Sequence, residues 1–208
     1  MPRGDTVIVF DCGATNIRVV AINSKGEILA SESLPNNTCP DPLYPYYRIW
    51  DIKEIWAKMC RASQKVVSQI NANDITGVTV TTFGVDGTLF DKSGKMLYPV
   101  ISWQCERTNP IMENINKYLP LNELYGETGV LPFSFNTINK LIWLAEQKPE
   151  LVEKSASFLF MPSIFSYFLT GEMVNDIIEL SPCWFHAWRN PRTGLSLRCV
   201  HSVRFPLV

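Results

Sequence analysis

The chain has 208 residues and a net charge of −1, with 19 basic and 20 acidic side chains. This length can bury a hydrophobic core, and the balanced charge gives no electrostatic footprint for nucleic acid or an anionic membrane. The apolar runs are too short to span a bilayer and no signal peptide is visible, so we expect a cytoplasmic protein without a membrane partner. The six cysteines, at irregular spacing, should then remain reduced thiols.

The first third of the chain alternates between strand patterns and one helical pattern. Apolar alternation predicts three strands, at residues 6–11, 16–23 and 27–34. A loop rich in proline, asparagine and tyrosine follows at residues 35–47. Asp51 and Glu54 match a capping box, and apolar residues at helical spacing continue to about residue 70. We therefore expect a helix with one stripe facing the core.

The rest of the chain predicts further α/β units. Strands are expected at residues 76–83 and 157–160, and a short hairpin at residues 88–98. Helices are expected at residues 110–118, 121–126, 136–147 and 162–169. Antiparallel strands followed by a helix, another strand and further α/β units indicate a mixed α/β layer architecture.

The most informative segment is the turn after the first strand, which reads Asp-x-Gly-x-Thr-Asn-x-Arg. Gly13 can adopt backbone angles closed to other residues and lets a ligand approach the main chain. Successive N–H groups in such a turn form a concave anion site, to which Thr15 and Asn16 add donors. Asp11 is placed to hold Mg²⁺ through water, and Arg18 adds positive charge near a phosphate. The alternative is an ordinary hairpin with a glycine turn.

A second group of polar and aromatic residues follows the fourth predicted strand. Asp86 lies in a bend flanked by Gly84 and Gly87, where a carboxylate can accept hydrogen bonds from two sugar hydroxyls. Trp103 can lie against the apolar face of a sugar, and Arg107 can donate at the other edge. The alternative is that Asp86 only forms a turn and Trp103 belongs to the core.

Four segments taken together resemble the motifs of one enzyme family. They are the turn at residues 11–18 with its flanking strands, and the segments at residues 80–87, 98–108 and 135–147. The turn resembles the first phosphate motif of the sugar kinase, hexokinase and actin superfamily. The other three narrow the resemblance to the FGGY carbohydrate kinases. Four motifs in the right order and spacing are far more specific than any one of them, and the resemblance runs from about residue 6 to residue 178.

The resemblance implies a ribonuclease-H-like α/β fold, in which a mixed sheet is flanked by helices. It implies phosphoryl transfer from ATP, with Mg²⁺, to a ketose: L-fuculose first, with rhamnulose or xylulose as alternatives. The phosphate and magnesium residues would be Asp11, Gly13, Thr15, Asn16 and Arg18. The substrate pocket would contain Asp86, Gly87, Trp103, Arg107 and Asn136, whereas Lys140 and Trp143 are interpreted as structural.

The family's catalytic base is an aspartate in the second half of the protein, so no catalytic residue is assigned here. We expect a kinase domain at residues 1–178 and an unrelated, irregular tail at residues 179–208. From residue 180 onward the tail has no acidic residue and no lysine, and prolines interrupt it, which favours out-of-frame translation over a genuine C-terminal arm. A non-catalytic fragment that binds sugar or phosphate weakly is the competing function. An actin-type scaffold is a third, which the segment at 135–147 argues against.

Overall fold

The computed structural model of the chain describes residues 4–118 and 120–175, together with 188–189 and 196–197. These residues divide into two units. The first unit contains the chain up to Cys39 and the segment Trp50–Phe83. The second contains Pro40–Ile49 and the chain from Gly84 onward.

The elements follow the chain in this order. The strands are β1 (Thr6–Cys12), β2 (Asn16–Ile22), β3 (Ile28–Pro35), β4 (Cys39–Pro40), β5 (Arg48–Trp50), β6 (Ile75–Thr82), β7 (Gly87–Phe90), β8 (Val100–Ile101), β9 (Ser157–Phe160), β10 (Trp188–Arg189) and β11 (Ser196–Leu197). The α-helices are α1 (Ile52–Val67), α2 (Asn109–Glu113), α3 (Leu121–Thr128), α4 (Thr137–Gln147), α5 (Pro149–Lys154) and α6 (Met161–Thr170). Short 3₁₀ helices lie at Ala72–Asp74, Glu106–Thr108 and Ile115–Lys117.

The first unit is a four-stranded mixed sheet with α1 packed against it. The strand order is β3-β2-β1-β6, in which β1, β2 and β3 pair antiparallel and β6 joins β1 in parallel. Helix α1 connects the antiparallel strands to β6 and contacts β2 and β3 through a buried stripe of Ile52, Ile55, Met59, Ala62 and Val66. This arrangement confirms the predicted mixed α/β architecture and the core-facing stripe.

Helix α1 begins where the capping pattern predicted. The Asp51 side chain accepts a hydrogen bond from the Glu54 N–H at 3.0 Å, which satisfies one of the open donors of the first turn. The Glu54 carboxylate pairs with Lys58 one turn further on, at 2.8 Å. The helix ends at Val67, three residues earlier than expected.

The second unit surrounds helix α4. Strand β7 pairs antiparallel with β9 in this unit. Strands β4, β5 and β8 form a separate three-stranded sheet in the order β4-β5-β8. Every residue of α4 at positions 137–144 is buried. Side chains of α4, β7 and β9 join one hydrophobic cluster, which includes Leu89, Trp143 and Phe160. This burial agrees with the structural role expected for Trp143.

The hairpin predicted at residues 88–98 is only partly formed. Leu97 N–H donates to the Leu89 carbonyl at 2.9 Å and Phe90 forms an isolated bridge with Met96, but the second arm is not a strand. The main partner of β7 is β9, which lies far along the chain. The predicted pairing of the two arms is therefore confirmed, whereas the pairing of β7 with β9 was not predicted, because a local pattern cannot reveal a partner so far along the chain.

Only four residues of the predicted tail are described, in β10 and β11, where Trp188 pairs with Leu197. The remaining residues of the tail lie outside the described part of the chain. Among the described residues, no helix has both the length and the hydropathy needed to cross a membrane.

Candidate active site

The turn between β1 and β2 keeps the five predicted phosphate-binding residues together at one end of the first unit's sheet. Asp11 and Arg18 lie opposite each other in the β1–β2 register. Their carboxylate and guanidinium form an ion pair at 2.8 Å, with the side chains 34 % and 54 % exposed. An ion pair this exposed contributes little to stability, so either charge can exchange its partner for a ligand at low cost. Thr15 and Asn16 are exposed beside it.

Gly13 is needed at this turn for space. Its N–H donates to the Asn16 carbonyl at 2.8 Å, and an added Cβ would lie 3.0 Å from that oxygen. Gly13 does not adopt a positive φ, so the conformational freedom expected from the sequence is not what the turn uses. A Cβ there would require the Asn16 carbonyl to move by a few tenths of an ångström.

Asn36, which follows β3, fixes the turn from the side. Its buried side chain donates to the Gly13 carbonyl at 2.8 Å, and its N–H donates to the Thr15 carbonyl at the same distance. Nothing in the sequence singles out Asn36 as a site residue, because an asparagine that follows a proline in a loop is typical of a turn. The two bonds fix the backbone of the turn at Gly13 and Thr15.

The turn fits a magnesium ion bound through phosphate and water. Mg²⁺ usually takes one or two carboxylates and completes its shell with phosphate oxygens and waters. Asp11 supplies one half-exposed carboxylate, and the described residues contain no cluster of three metal-binding side chains that would form an all-protein cage. The adjacent Cys12 is no rival ligand, because burial and then the charge of Asp11 raise the pKa of its thiol to about 12.

In the second unit, the bend before β7 carries a buried ion pair. Asp86 and Lys140 are 0 % and 2 % exposed, and the Lys140 ammonium contacts the Asp86 Oδ1. The other carboxylate oxygen accepts the Trp103 N–H at 3.0 Å. The same ammonium donates to the Val85 carbonyl at 2.9 Å. Lys140 therefore has a structural role, as expected, but its partner is the residue that the sequence assigned to the sugar.

The backbone of this bend is strained and pinned on both sides. Val85 has a φ of 64°, a conformation that is costly for a β-branched residue. Its carbonyl accepts from the Thr137 hydroxyl at 2.7 Å as well as from Lys140, so helix α4 holds the strained conformer. On the other side, a Cβ at Gly87 would lie 2.4 Å from the Leu159 carbonyl, so only glycine allows this approach to β9.

Trp103 belongs to an exposed group of aromatic rings next to the ion pair. Its side chain is 38 % exposed, and its ring meets Phe135 edge-on with the centroids 6.4 Å apart. Phe133 stacks on Phe135 at 4.9 Å with the rings nearly parallel. Aromatic faces of this kind suit the apolar C–H face of a sugar.

Asn136 is buried beneath these aromatic rings and hydrogen-bonds to the loop that carries two of them. It is 1 % exposed, and its side-chain oxygen accepts the Phe133 N–H at 2.9 Å. Its own N–H donates to the Phe133 carbonyl at 3.1 Å. Asn136 thus fixes the loop that carries Phe133 and Phe135, and its direct contact with a sugar stays a prediction.

Arg107 lies inside the second unit, with a fully buried side chain. Its guanidinium pairs with Asp41 at 2.7 Å and donates to the Tyr98 hydroxyl at 3.1 Å. The rings of Tyr47 and Trp143 lie 4.6 Å and 4.7 Å from the central carbon of the guanidinium, with their own centroids 6.3 Å apart. The guanidinium is therefore held by a carboxylate, a hydroxyl and two aromatic rings. Contact with a sugar stays a prediction for this residue and would require some of these bonds to break.

Comparison with known proteins gives one consistent family. The model of the FGGY family of carbohydrate kinases, N-terminal domain, matches residues 6–185. The L-fuculokinase of Haemophilus influenzae is 47 % identical over 174 residues, which make up 81 % of this chain and 37 % of that protein. The L-fuculokinase of Escherichia coli K12 is 40 % identical over 175 residues, or 84 % of this chain and 37 % of that protein. The matched region thus spans little more than a third of these curated relatives.

The fold is also similar to a solved structure. The crystal structure of xylulose kinase from Rhodospirillum rubrum superposes with a TM-score of 0.77, covering 86 % of this chain and 38 % of the other. The sequence identity is 20 %, so this likeness concerns the fold. It agrees with the predicted sugar-kinase fold.

We expect that removal of the Asp41 charge destabilises the second unit in a pH-dependent way. Burial acts to raise the pKa of Asp41, but hydrogen bonds from the Leu43 N–H, Arg107 and Tyr98 outweigh it and hold this pKa below its ordinary value. The ion pair therefore stabilises the fold fully above about pH 3.9, the unfolded value, and this contribution is lost as the pH falls through the folded pKa. Asp41→Asn should lower the free energy of unfolding by about 3 kcal/mol at pH 7.

Urea unfolding at pH 7, 5 and 3 measures this effect. The difference between wild type and Asp41→Asn should persist at pH 5 and shrink at pH 3. Glu153→Gln is the matched control, since Glu153 is exposed on α5 of the same unit. A difference that does not change with pH would contradict the assignment.

The Asp86–Lys140 pair should behave as one unit in a double-mutant cycle. Lys140→Met leaves a buried carboxylate without its counter-charge and should cost about 3 to 5 kcal/mol of unfolding free energy. Asp86→Asn together with Lys140→Met removes both charges and should recover at least half of this loss. Chemical unfolding of the two single variants and the double variant measures the coupling. Additive losses would show that the two side chains do not depend on each other.

Proposed function

Because the chain belongs to the FGGY family of carbohydrate kinases, we propose that it provides the phosphate-binding turn and the sugar-binding surface of an ATP-dependent ketose kinase. The reaction is phosphoryl transfer from ATP to L-fuculose, giving L-fuculose 1-phosphate and ADP. The observation that carries the sugar site is the exposed Trp103, whose backbone is anchored by a buried carboxylate. Support for L-fuculose comes from the relatives at 40 % and 47 % identity.

The first part of the proposal concerns the ATP phosphates. Phosphoryl transfer requires positioning and charge neutralisation more than covalent chemistry. The backbone of the turn after β1 receives the phosphate oxygens, and the exposed Thr15 and Asn16 side chains donate to them. Arg18 exchanges Asp11 for phosphate, which releases the Asp11 carboxylate to hold Mg²⁺ through water. The metal supplies charge neutralisation when bound.

The second part concerns the sugar. The apolar face of the ketose lies on the Trp103 ring, whose position depends on the bond from its N–H to Asp86. Asp86 also remains the proposed acceptor for sugar hydroxyls, and its burial makes any such bond selective, because an unmatched group would be left unsatisfied. The residues of this chain bind and orient the ketose and the ATP phosphates. No general base is assigned among them.

The location is part of the same proposal. We place the protein in the cytoplasm, where ATP and sugar phosphates are used. The described cysteines Cys12, Cys39, Cys60 and Cys105 are free thiols, which suits a reducing compartment.

Nucleotide binding by the purified chain tests the phosphate turn. Thr15→Val keeps the side-chain size and removes a donor, so the Kd for MgATP in isothermal titration should rise about tenfold. Asp11→Asn should bind ATP equally with Mg²⁺ and with EDTA, whereas wild type should bind more tightly with Mg²⁺. MgATP binding that neither variant changes would contradict the assignment.

Sugar binding by the same chain tests the aromatic surface. Trp103→Ala should weaken L-fuculose about tenfold, because the stacking face is lost, while the Kd for MgATP stays unchanged. Thr15→Val provides the matched control, since it should leave L-fuculose binding intact. Rhamnulose and xylulose titrated in parallel test the alternative substrates. A wild-type chain that binds none of the three ketoses would refute the sugar site.

A further inference from the structure

The loop before α4 presents apolar side chains that folding leaves uncovered. Leu131 is 56 % exposed and Phe133 is 46 % exposed, and Phe133 stacks on Phe135, which in turn meets Trp103. The segment at residues 129–139 contains no charged residue. Neighbouring exposed apolar side chains of this kind are typical of a binding site, and the segment has no charge to attract an anionic partner.

Two buried asparagines hold this surface in place. Asn139 is fully buried, and its side-chain amide donates to the carbonyls of Phe133 and Ser134, at 3.0 Å and 3.2 Å. Asn136 accepts the Phe133 N–H, as described above. The exposed rings are therefore fixed before a ligand arrives, and such preorganisation lowers the cost of binding.

We propose that the aromatic cluster of Trp103, Phe133 and Phe135 recognises the methyl end of a 6-deoxyketose. The proposal rests on the proposed sugar kinase function and names the residues that select the substrate at this position. A 6-deoxyketose carries a methyl group where the corresponding hexulose carries a hydroxymethyl group. Against these rings the methyl group gains from burial, whereas the hydroxyl would lose its water without finding a partner among them.

The sharpest probe is a pair of sugars that differ only at this position. L-Fuculose is 6-deoxy-L-tagatose, so L-tagatose adds one hydroxyl and changes nothing else. A single group of this size in an apolar site is worth about 10-fold or more in affinity. The purified chain should therefore bind L-fuculose at least about tenfold more tightly than L-tagatose in isothermal titration.

Phe133→Ser is the decisive variant, because its side chain is half exposed and its loss should not prevent folding. The ratio of the two Kd values should fall to within about twofold, chiefly through weaker binding of L-fuculose. Phe168→Ser is the matched control: Phe168 is 38 % exposed on α6, and its ring neighbours are Phe165 and Tyr167. This control should keep the wild-type ratio.

The outcomes separate this inference from the function on which it rests. Equal binding of both ketoses by wild type would overturn the inference and leave the sugar site intact. Binding of neither sugar would refute both. An unchanged ratio in Phe133→Ser would also overturn the inference, and a simultaneous change in the mass measured by light scattering would assign the surface to contact between copies of the chain.

Discussion

The ion pair between Asp86 and Lys140 is the contact on which the second unit's site depends. It joins the bend before β7 to helix α4, and it places one carboxylate oxygen under the backbone of Trp103. Removing two charges from water is expensive, and an equally sized apolar pair would stabilise a core at least as well. The role of the ion pair is therefore to position Trp103 rather than to add stability, since Asp86 fixes the backbone that carries the exposed indole.

The residues that we propose to bind phosphate and sugar are brought together in different ways in the two units. In the first unit, the phosphate turn is local, since β1 and β2 are consecutive strands and the turn residues are close in sequence. In the second unit, the aromatic surface is assembled from segments far apart in the chain, the β8–α2 connection and the loop before α4. Buried polar side chains hold both: Asn36 under the turn, and Asn136 and Asn139 under the rings.

This difference explains how much the sequence could predict. Strand alternation and the cap at Asp51 predicted the first unit because both are local patterns. The ion pair between Asp86 and Lys140 could not be predicted from the sequence, since a lysine in a helical pattern does not indicate which distant carboxylate it contacts. Arg107 shows another limit: its motif predicted a sugar contact, which stays a prediction, and nothing in the sequence indicated its buried ion pair with Asp41 in the loop before β5.

The strained Val85 has a consequence for synthesis on the ribosome. Its left-handed conformation is held by Thr137 and Lys140, which are translated more than fifty residues later. Until α4 has been synthesised and has packed, these hydrogen bonds are missing. The positive φ of Val85 is then unstable, because it is costly for a β-branched residue. The phosphate turn can close as soon as its neighbouring strands exist. The contacts of the β1–β2 turn can therefore form before α4 is synthesised, whereas the bend at Val85 depends on contacts that can form only afterwards.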